Sequence, residues 1–345
     1  MSIDSEFDHE KLLCVKDHQS GLLAVIAFHS TVLGPAVGGM RFRRYDSLSG
    51  AMVDALRLGR AMTLKNAAAR LDWGGGKLCV VDDGDTDRRA ERLVKLAEVI
   101  NGLDGQYIVG KDVGATLSDM ELLSSLSPWV VGIPESRGGL GDPSPATART
   151  VVGAMKAASQ VTWGNPDLSG TSASIIGVGG VGASLARNLA KHGVSLFISD
   201  IDEARTTALA AEIGAEVLSL PEALTADVDF LAPCATGEMI NDENTATLRC
   251  RIIAGGANNP LTHDSVATEL HRRGILYVPD FLSNAGGVIQ NAAEFRTQGW
   301  TGVDQMIDEA NARLLDVLQR AQQAGIPPLE LARAEALALV NKEWN

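Results

Sequence analysis

The chain has 345 residues, which is too long for one ordinary domain core and predicts two domains. Its 43 acidic and 30 basic residues give a formal charge of −13, which argues against nucleic acid and anionic membranes as partners. Apolar residues make up 45% of the sequence, enough for packed interiors, and no apolar run is long enough to predict a membrane span.

The N-terminal part predicts alternating strands and helices of an α/β domain. Strands are predicted over residues 12–16, 22–29, 77–81 and 107–109. Helices are predicted from Met52 through Lys65, over residues 88–100, and from a capping box at residues 118–121 toward Leu126. The three glycines before Lys77 predict a loop that precedes a short buried strand.

The second half alternates strands and helices more regularly. Strands are predicted over residues 173–176, 195–199, 230–232, 252–254 and 276–278, with a helix over residues 183–191. This alternation predicts a parallel, doubly wound Rossmann sheet. From Ala285 onward the pattern is helical, and residues 325–328 break it between two helices.

Glycine, proline and serine crowd residues 138–145, which predicts a domain boundary or hinge there. We therefore expect one domain over residues 1–140. A second domain, of the Rossmann type, is expected over residues 141–290. The remaining residues, 291–345, are expected to form C-terminal helices that pack back toward the cleft.

A glycine-rich hexapeptide, Gly177-Val178-Gly179-Gly180-Val181-Gly182, follows a predicted strand and opens a predicted helix. The next strand ends in Asp200, which is suited to the ribose hydroxyls of a dinucleotide. Asp202 adds negative charge that disfavours the 2′-phosphate of NADP, whereas Arg205 favours it. The motif predicts a dinucleotide site, with NAD preferred; a purely structural turn is the alternative.

Two lysines and an aspartate are candidates for the chemistry. Lys65 lies near the end of an apolar helix, Lys77 opens a buried strand after three glycines, and Asp112 follows a strand between glycines. Burial of a lysine favours its neutral amine, which can act as a general base. Each residue alone also fits an ordinary role, namely a solvated lysine or a turn-forming aspartate.

Together the motifs resemble the glutamate/leucine/phenylalanine/valine dehydrogenase family, and its leucine–phenylalanine–valine branch in particular. The matching segments occur in family order over nearly the whole chain: residues 33–41, 54–67, 74–77, 110–114, 143–147, 232–235, 254–259 and 284–287.

The resemblance implies specific roles in the oxidative deamination of an L-amino acid to a 2-oxo acid and ammonia. Lys65 would bind the substrate carboxylate beside Gly38 and Gly39, Lys77 would be the general base, and Asp112 would handle the ammonium proton and hold Lys77. Further substrate contacts are expected at Met40, Gly110, Asn259, Val288 and Asn291. The glycine motif and its strand-end acid would bind NAD together with Thr147, Cys234, Ala235, Asn258 and Asn284.

The identity of the amino acid depends on a few positions. Glutamate enzymes of the family place a lysine where this chain has Val37, so we expect an apolar pocket with Met40, Val131 and Val288. Gly110 replaces an alanine of the branched-chain enzymes, and Asn291 replaces a valine. These two departures favour phenylalanine or tryptophan slightly over leucine or valine, although Asn291 could instead bond only neighbouring backbone.

Two other readings remain open, a dehydrogenase of hydroxy acids and a non-catalytic regulatory protein that binds NAD. The six histidines show no catalytic motif, and both Lys77 and Asp112 are present, so neither reading is favoured. Family members are homo-oligomers built through the N-terminal domain, and we expect a homo-oligomer here as well. The resemblance thus implies that residues 1–140 form the substrate-binding, catalytic and oligomerisation domain and that residues 141–290 bind NAD. The N-terminus lacks an apolar signal segment and the four cysteines lack metal-ligand spacing, so we expect a cytoplasmic protein without a metal site.

Overall fold

A computed structural model describes residues 8–341 of the chain. These residues form two compact units. The first comprises residues 8–142, 290–300 and 336–341, and the second comprises residues 143–289 and 301–335. Each unit contains one β-sheet, and the α/β class with a C-terminal parallel sheet is the one predicted from the sequence.

In the first unit, the part of the chain that the structure describes forms a five-stranded sheet in the order β1-β2-β4-β3-β5. Its strands are β1 (Lys11–Lys16), β2 (Leu23–Ser30), β3 (Ala36–Arg43), β4 (Gly74–Val81) and β5 (Tyr107–Lys111). The strands β4, β3 and β5 run parallel, whereas β2 pairs antiparallel with β4, and β1 pairs antiparallel with β2. Residues at the carboxyl ends of three parallel strands therefore meet at one edge of the sheet.

The glycines before Lys77 form the start of β4, so the predicted loop is wrong. A Cβ at Gly75 would lie 2.1 Å from the backbone nitrogen of Thr63, and one at Gly76 would lie 2.7 Å from the carbonyl oxygen of Ala27. Only glycine lets the strand pass this close to its neighbours. The same crowding affects Gly38 of β3, a strand that the sequence pattern did not predict, because glycine lowers β-propensity.

Three helices cover this sheet: α1 (Leu48–Ala68), α2 (Arg89–Gly102) and α3 (Leu117–Leu126). The capping box of α3 begins at Thr116, not at Ser118 as predicted. The Thr116 hydroxyl accepts from the Asp119 N–H at 3.1 Å, and the Asp119 carboxylate accepts from the Thr116 N–H at 2.7 Å. Helix α1 packs with Ala51, Ala55 and Leu56 on the sheet face that carries Cys79, and therefore on the face that carries Lys77.

In the second unit, the described strands form a six-stranded parallel sheet. They are β6 (Ser172–Ile176), β7 (Ser195–Ser199), β8 (Glu216–Val217), β9 (Phe230–Pro233), β10 (Ile252–Ile253) and β11 (Leu276–Tyr277). The order β8-β7-β6-β9-β10-β11 reverses direction between β6 and β9, which is the doubly wound arrangement. Ligands of such sheets bind where the order reverses, beyond the carboxyl ends of the strands.

The helices of this half of the chain alternate with the strands. They are α4 (Ser144–Trp163), α5 (Gly180–Lys191), α6 (Glu203–Ile213), α7 (Leu220–Thr225), α8 (Asp242–Thr245), α9 (Asp264–Arg272) and α10 (Asp280–Ser283). The helical tail follows as α11 (Gly286–Phe295), α12 (Gly299–Ala324) and α13 (Pro328–Asn341). Among residues 8–341, no helix is both long and apolar enough to cross a membrane.

Two side chains of α11 hold a loop of the first unit in place. The Glu294 carboxylate accepts hydrogen bonds from the N–H groups of Gly132 at 2.7 Å, Ile133 at 3.1 Å and Leu140 at 2.6 Å. The Gln290 amide donates to the carbonyls of Leu140 at 3.0 Å and Gly141 at 3.2 Å. The tail also packs on α1, where Ala336 and Val340 contact Ala67. The first unit is therefore completed by distant parts of the sequence.

Candidate active site

The two residues proposed for catalysis lie against each other. Lys77 projects from β4, and Asp112 follows the end of β5; the Lys77 Nζ donates to the Asp112 Oδ2 at 2.6 Å. The Lys77 side chain is 6% exposed and the Asp112 side chain is 21% exposed. Such an ion pair, partly removed from water, is held more strongly than a surface pair.

Arg41 of β3 extends this pair into a network that also includes α1. Its Nε donates to the Asp112 Oδ2 at 3.1 Å, and its Nη1 donates to the Asp54 Oδ2 at 3.0 Å. The Tyr45 hydroxyl donates to the same Asp54 oxygen at 2.8 Å. Positive and negative groups thus alternate along the network, from Lys77 through Asp112 and Arg41 to Asp54.

The charge of Asp112 follows from this arrangement. Burial by itself would raise the pKa of the Asp112 carboxyl, but the Lys77 ammonium and the Arg41 guanidinium outweigh burial and hold that pKa well below its usual range. Asp112 is therefore a carboxylate throughout the neutral and alkaline range. In this state it can orient Lys77 and accept further hydrogen bonds.

The other substrate-side residues lie on the same strands and on α1. Gly38 and Gly39 lie in the middle of β3, where a Cβ at Gly39 would come 2.7 Å from the Cβ of Asp112. Lys65 is partly buried near the end of α1. Its neighbour Asn66 is fully buried and donates from its amide to the Gly74 carbonyl at 2.6 Å, which ties the end of α1 to the start of β4.

A second group of predicted residues meets around Gly110 of β5. A Cβ at Gly110 would lie 3.3 Å from the Asn291 Nδ2 and 3.4 Å from the Val131 Cγ2. Within the described residues, the Asn291 Oδ1 is buried and has no hydrogen-bond partner. Met40 packs in the apolar core with Leu78, on the sheet face opposite to Arg41. Gly110 and Asn291 are thus brought together, whereas the Met40 side chain is directed elsewhere.

The glycine motif of the second unit fits a dinucleotide. A Cβ at Gly182 would lie 1.8 Å from the Gly177 carbonyl oxygen, so only glycine lets α5 begin this close to β6. Around Gly179, by contrast, no described heavy atom lies within 4 Å of a Cβ position, which leaves room for a ligand next to the backbone. No described side chain caps the N-terminus of α5, so its N–H groups are suited to a pyrophosphate.

Asp200 lies at the end of β7, beside this turn. Its carboxylate accepts from the N–H of Val178 at 2.6 Å and from the N–H of Asp202 at 3.0 Å, which fixes the side chain for a ribose diol. Arg205, the one residue in favour of a 2′-phosphate, donates to Asp202 at 2.9 Å, so its charge is already balanced. The arrangement fits NAD better than NADP.

The remaining cofactor candidates all belong to the second unit. Ala235 packs against Gly177, because a Cβ at Gly177 would lie 2.6 Å from the backbone nitrogen of Ala235. Cys234 lies beside Gly182, where a Cβ would lie 3.2 Å from the Cys234 Cβ. The Asn284 amide donates to the Asn258 side chain at 3.1 Å, while its own Oδ1 is buried without a partner among the described residues. The Thr147 hydroxyl donates to the Pro143 carbonyl at 3.0 Å. Two substrate candidates also belong to this unit: the Asn259 N–H donates to the Asp280 carboxylate, and Val288 is a partly buried residue of α11.

The sequence analysis assigned no role to Arg41, Asp54 or Tyr45. An arginine between Met40 and Phe42 fits the alternation of a strand with one apolar face, so no local signal in the sequence indicated that α1 would cover the other face. A charged residue on the buried face of a strand requires a partner. The sequence could not show that this partner would be Asp112, which is 71 residues away along the chain.

Comparisons with known proteins are consistent with this geometry. The model of the "Glu/Leu/Phe/Val dehydrogenase, dimerisation domain" family matches residues 9–126. The model described as "Glutamate/Leucine/Phenylalanine/Valine dehydrogenase" matches residues 198–340. Between them the two models cover both halves of the chain.

Individual relatives are similar over almost their whole length. The chain is 38% identical to leucine dehydrogenase of Bacillus subtilis (93% of this chain and 88% of the relative). It is also 38% identical to valine dehydrogenase of Streptomyces coelicolor (94% and 90%). Among solved structures, L-tryptophan dehydrogenase from Nostoc punctiforme superposes with a TM-score of 0.83 at 33% identity, over 99% of this chain and 98% of that one.

Proposed function

Since this chain belongs to the glutamate/leucine/phenylalanine/valine dehydrogenase family, it is an amino-acid dehydrogenase that acts on CH–NH2 groups. We propose that it oxidatively deaminates an apolar or aromatic L-amino acid to the 2-oxo acid and ammonia, with NAD as the cofactor. The observation that carries this proposal is the buried contact between Lys77 and Asp112. The first unit would bind the amino acid and the second would bind NAD.

The candidate site residues of the first unit divide the steps of this scheme among them. Lys65 neutralises the substrate carboxylate, and the strand at Gly38 and Gly39 lets the substrate approach the backbone. Asp112 orients Lys77, takes a proton from the substrate ammonium and passes it to solvent, which leaves the neutral amine whose α-carbon gives up its hydride. The neutral amine of Lys77 takes the proton of the water that adds to the imino carbon. The resulting ammonium then stabilises charge as the adduct collapses to the oxo acid and ammonia.

The residues around the glycine motif hold the cofactor, with Asp200 on the adenosine ribose and the N-terminus of α5 on the pyrophosphate. Thr147, Cys234, Ala235, Asn258 and Asn284 are proposed to line the rest of that site. When bound, NAD supplies the acceptor for the hydride of the α-carbon.

Two glycine substitutions separate cofactor binding from folding. We expect Gly179→Ala to fold like the wild type, because space surrounds its Cβ position, but to weaken NADH binding about 10-fold or more, because the methyl group occupies that space. Gly182→Ala is expected to destabilise the protein by about 2 kcal/mol, because its methyl group overlaps the Gly177 carbonyl. Calorimetric titration with NADH and thermal unfolding measure the two effects. Equal affinities of wild type and Gly179→Ala would contradict the placement of the pyrophosphate.

The favoured substrates are phenylalanine and tryptophan. Gly110 leaves out a Cβ beside Val131, which allows a larger side chain, and the buried Asn291 Oδ1 without a partner could accept from an indole N–H. The similarity to L-tryptophan dehydrogenase from Nostoc punctiforme supports this choice. Leucine and valine are the second candidates, since the leucine and valine dehydrogenases named above are similar as well.

Substitution at these two positions tests the preference. We expect Asn291→Val to lower kcat/KM for tryptophan about 10-fold relative to leucine, because the substrate N–H loses its acceptor. Gly110→Ala should lower kcat/KM for both aromatic substrates relative to leucine, because the new methyl group fills space beside Val131. The ratios are measured from initial rates on matched enzyme samples. Unchanged ratios in both variants would show that these residues do not select the substrate.

The class itself is tested by following NADH formation at alkaline pH across the twenty L-amino acids, first with NAD and then with NADP. Turnover of an apolar or aromatic amino acid with NAD is the expected result. A folded protein that binds NAD but turns over none of them would instead be a non-catalytic NAD-binding protein. Turnover of a 2-hydroxy acid would indicate the other dehydrogenase class.

We also propose that the protein forms a homo-oligomer, because the family model that matches residues 9–126 is a dimerisation domain. Light scattering of the purified protein would test this proposal.

A further inference from the structure

One carboxylate oxygen in the first unit accepts hydrogen bonds from two cationic side chains. The Asp112 Oδ2 accepts from the Lys77 Nζ at 2.6 Å and from the Arg41 Nε at 3.1 Å. The Arg41 guanidinium is in turn fixed from its other side, because its Nη1 donates to both oxygens of Asp54, at 3.0 Å and 3.3 Å. Arg41 is therefore held in one orientation by two different elements, the end of β5 and helix α1.

The shared oxygen couples the charges of Lys77 and Arg41. A second cation on the same acceptor reduces the ability of Asp112 to stabilise the ammonium form of Lys77, and it also repels that ammonium directly. Asp54 acts in the opposite sense, because its negative charge offsets part of the charge of Arg41. The Arg41 side chain is 16% exposed and that of Asp54 is 14% exposed, so water screens these effects only in part.

We propose that Arg41 is a positioning residue for the deamination reaction. It holds the Asp112 carboxylate against the Lys77 amine and lies as the second cation on the same carboxylate oxygen. This inference rests on the proposed function, because Lys77 is the general base of that reaction.

Other ionisable groups contribute to the same local field. The titratable and charged groups around Asp112 lie on three strands, on α1 and in the loop before α1. The strands contribute Arg41 of β3, Lys77 and Cys79 of β4, and Tyr107 of β5, with Asp112 directly after β5. The loop contributes Tyr45, and α1 contributes Asp54 and Arg57. Burial raises the pKa of the Cys79 thiol to about 11 and raises the pKa of both tyrosines. These three groups are therefore neutral below pH 10, and the four network residues with Arg57 carry the charge.

Two neutralising substitutions are expected to move the pH profile in opposite directions. A lysine that acts as a general base must be a neutral amine, so kcat/KM is expected to rise with pH. Arg41→Gln removes a nearby cation, which favours the ammonium and should move the rising limb about one pH unit higher. Asp54→Asn removes a nearby anion and should move the same limb lower, by about half a unit. In the double variant the two shifts should partly cancel, which leaves the limb about half a unit above its wild-type position.

The substitution Arg41→Lys distinguishes the effect of the Arg41 charge from the effect of its hydrogen-bond geometry. It keeps the cation, so the limb should stay near the wild-type pH, but a single ammonium cannot bridge Asp112 and Asp54 as a guanidinium does, so kcat should fall several-fold. Arg320→Gln is the matched control, because Arg320 also bridges two carboxylates, those of Asp316 and Glu335, in the other unit. Its profile should coincide with that of the wild type.

The outcomes distinguish this inference from the proposed function. A wild-type enzyme without activity on any amino acid would overturn the proposed function. An active wild type whose rising limb is unmoved in both Arg41→Gln and Asp54→Asn, or moves the same way in both, would overturn only the role of Arg41. Should Arg41→Gln fail to fold, Asp54→Asn and Arg41→Lys still give the sign of the charge effect and the loss of kcat.

Discussion

Lys77→Ala is expected to lower kcat by about 10³-fold or more, which is the largest single effect that the site predicts. The substitution removes both the base proposed to activate water and the cation that would form when that base takes the proton. Because Asp112 keeps its hydrogen bond from Arg41, the variant should still fold. The rate of NADH formation under saturating substrate measures the loss.

Two further measurements make this test specific to the amine. Small primary amines added to Lys77→Ala should restore part of the rate, since they can occupy the space of the missing side chain and accept a proton. Lys95→Ala is a suitable control, because Lys95 is a surface lysine paired with Glu98. A Lys77→Ala enzyme that keeps more than about a tenth of the wild-type rate would rule out a general-base role of this size.

Asp112→Asn is expected to cost both stability and activity. The amide is the same size as the carboxyl group but leaves the buried cations of Lys77 and Arg41 without their shared anion. Loss of one partner from such a pair costs about 3 kcal/mol, and kcat should fall by about 10²-fold or more. Thermal unfolding and steady-state rates measure the two losses. Asp85→Asn, at an exposed aspartate that accepts only from a backbone N–H, is the control.

The stability difference between wild type and Asp112→Asn should depend on pH in a defined way. The pKa of Asp112 is depressed in the folded protein, so the carboxylate contributes its full stabilisation above the ordinary aspartate pKa. That contribution disappears as the pH falls from about 4 toward the lower, folded-state pKa. The two proteins should therefore unfold at more similar temperatures in strong acid than at neutral pH. A constant difference across this range would mean that another interaction of Asp112 stabilises the fold.

Much of the second unit was predictable from the sequence. Its strands are short, apolar and separated by amphipathic helices, so periodicity located them, and the glycine motif placed the ligand end of the sheet. The two-residue strand β8 was missed because Glu216 and Val217 are both exposed and leave no pattern. Local preference is weakest where a strand forms only by pairing with its neighbour.

The first unit was harder to predict because glycine is used there inside strands. The segments around Gly38 and Gly75 resemble loops by composition, yet close approach of neighbouring chains makes them strands. In the site, the motifs supplied Lys77 and Asp112, but the network through Arg41 and Asp54 depends on residues that only the folded sheet brings together. Long-range pairing of charges leaves almost no local signal in the sequence.

The contribution of α11 and α13 to the first unit has a consequence for synthesis on the ribosome. The loop from Gly132 to Gly141 is held by Gln290 and Glu294, and Ala67 packs against Ala336 and Val340, all of which are translated much later. At about 5–20 residues per second, roughly ten seconds or more pass between the two ends of this unit. The first unit must therefore remain unfinished while the second unit emerges, and a chain that stops before Gln290 lacks the side chains that hold this loop.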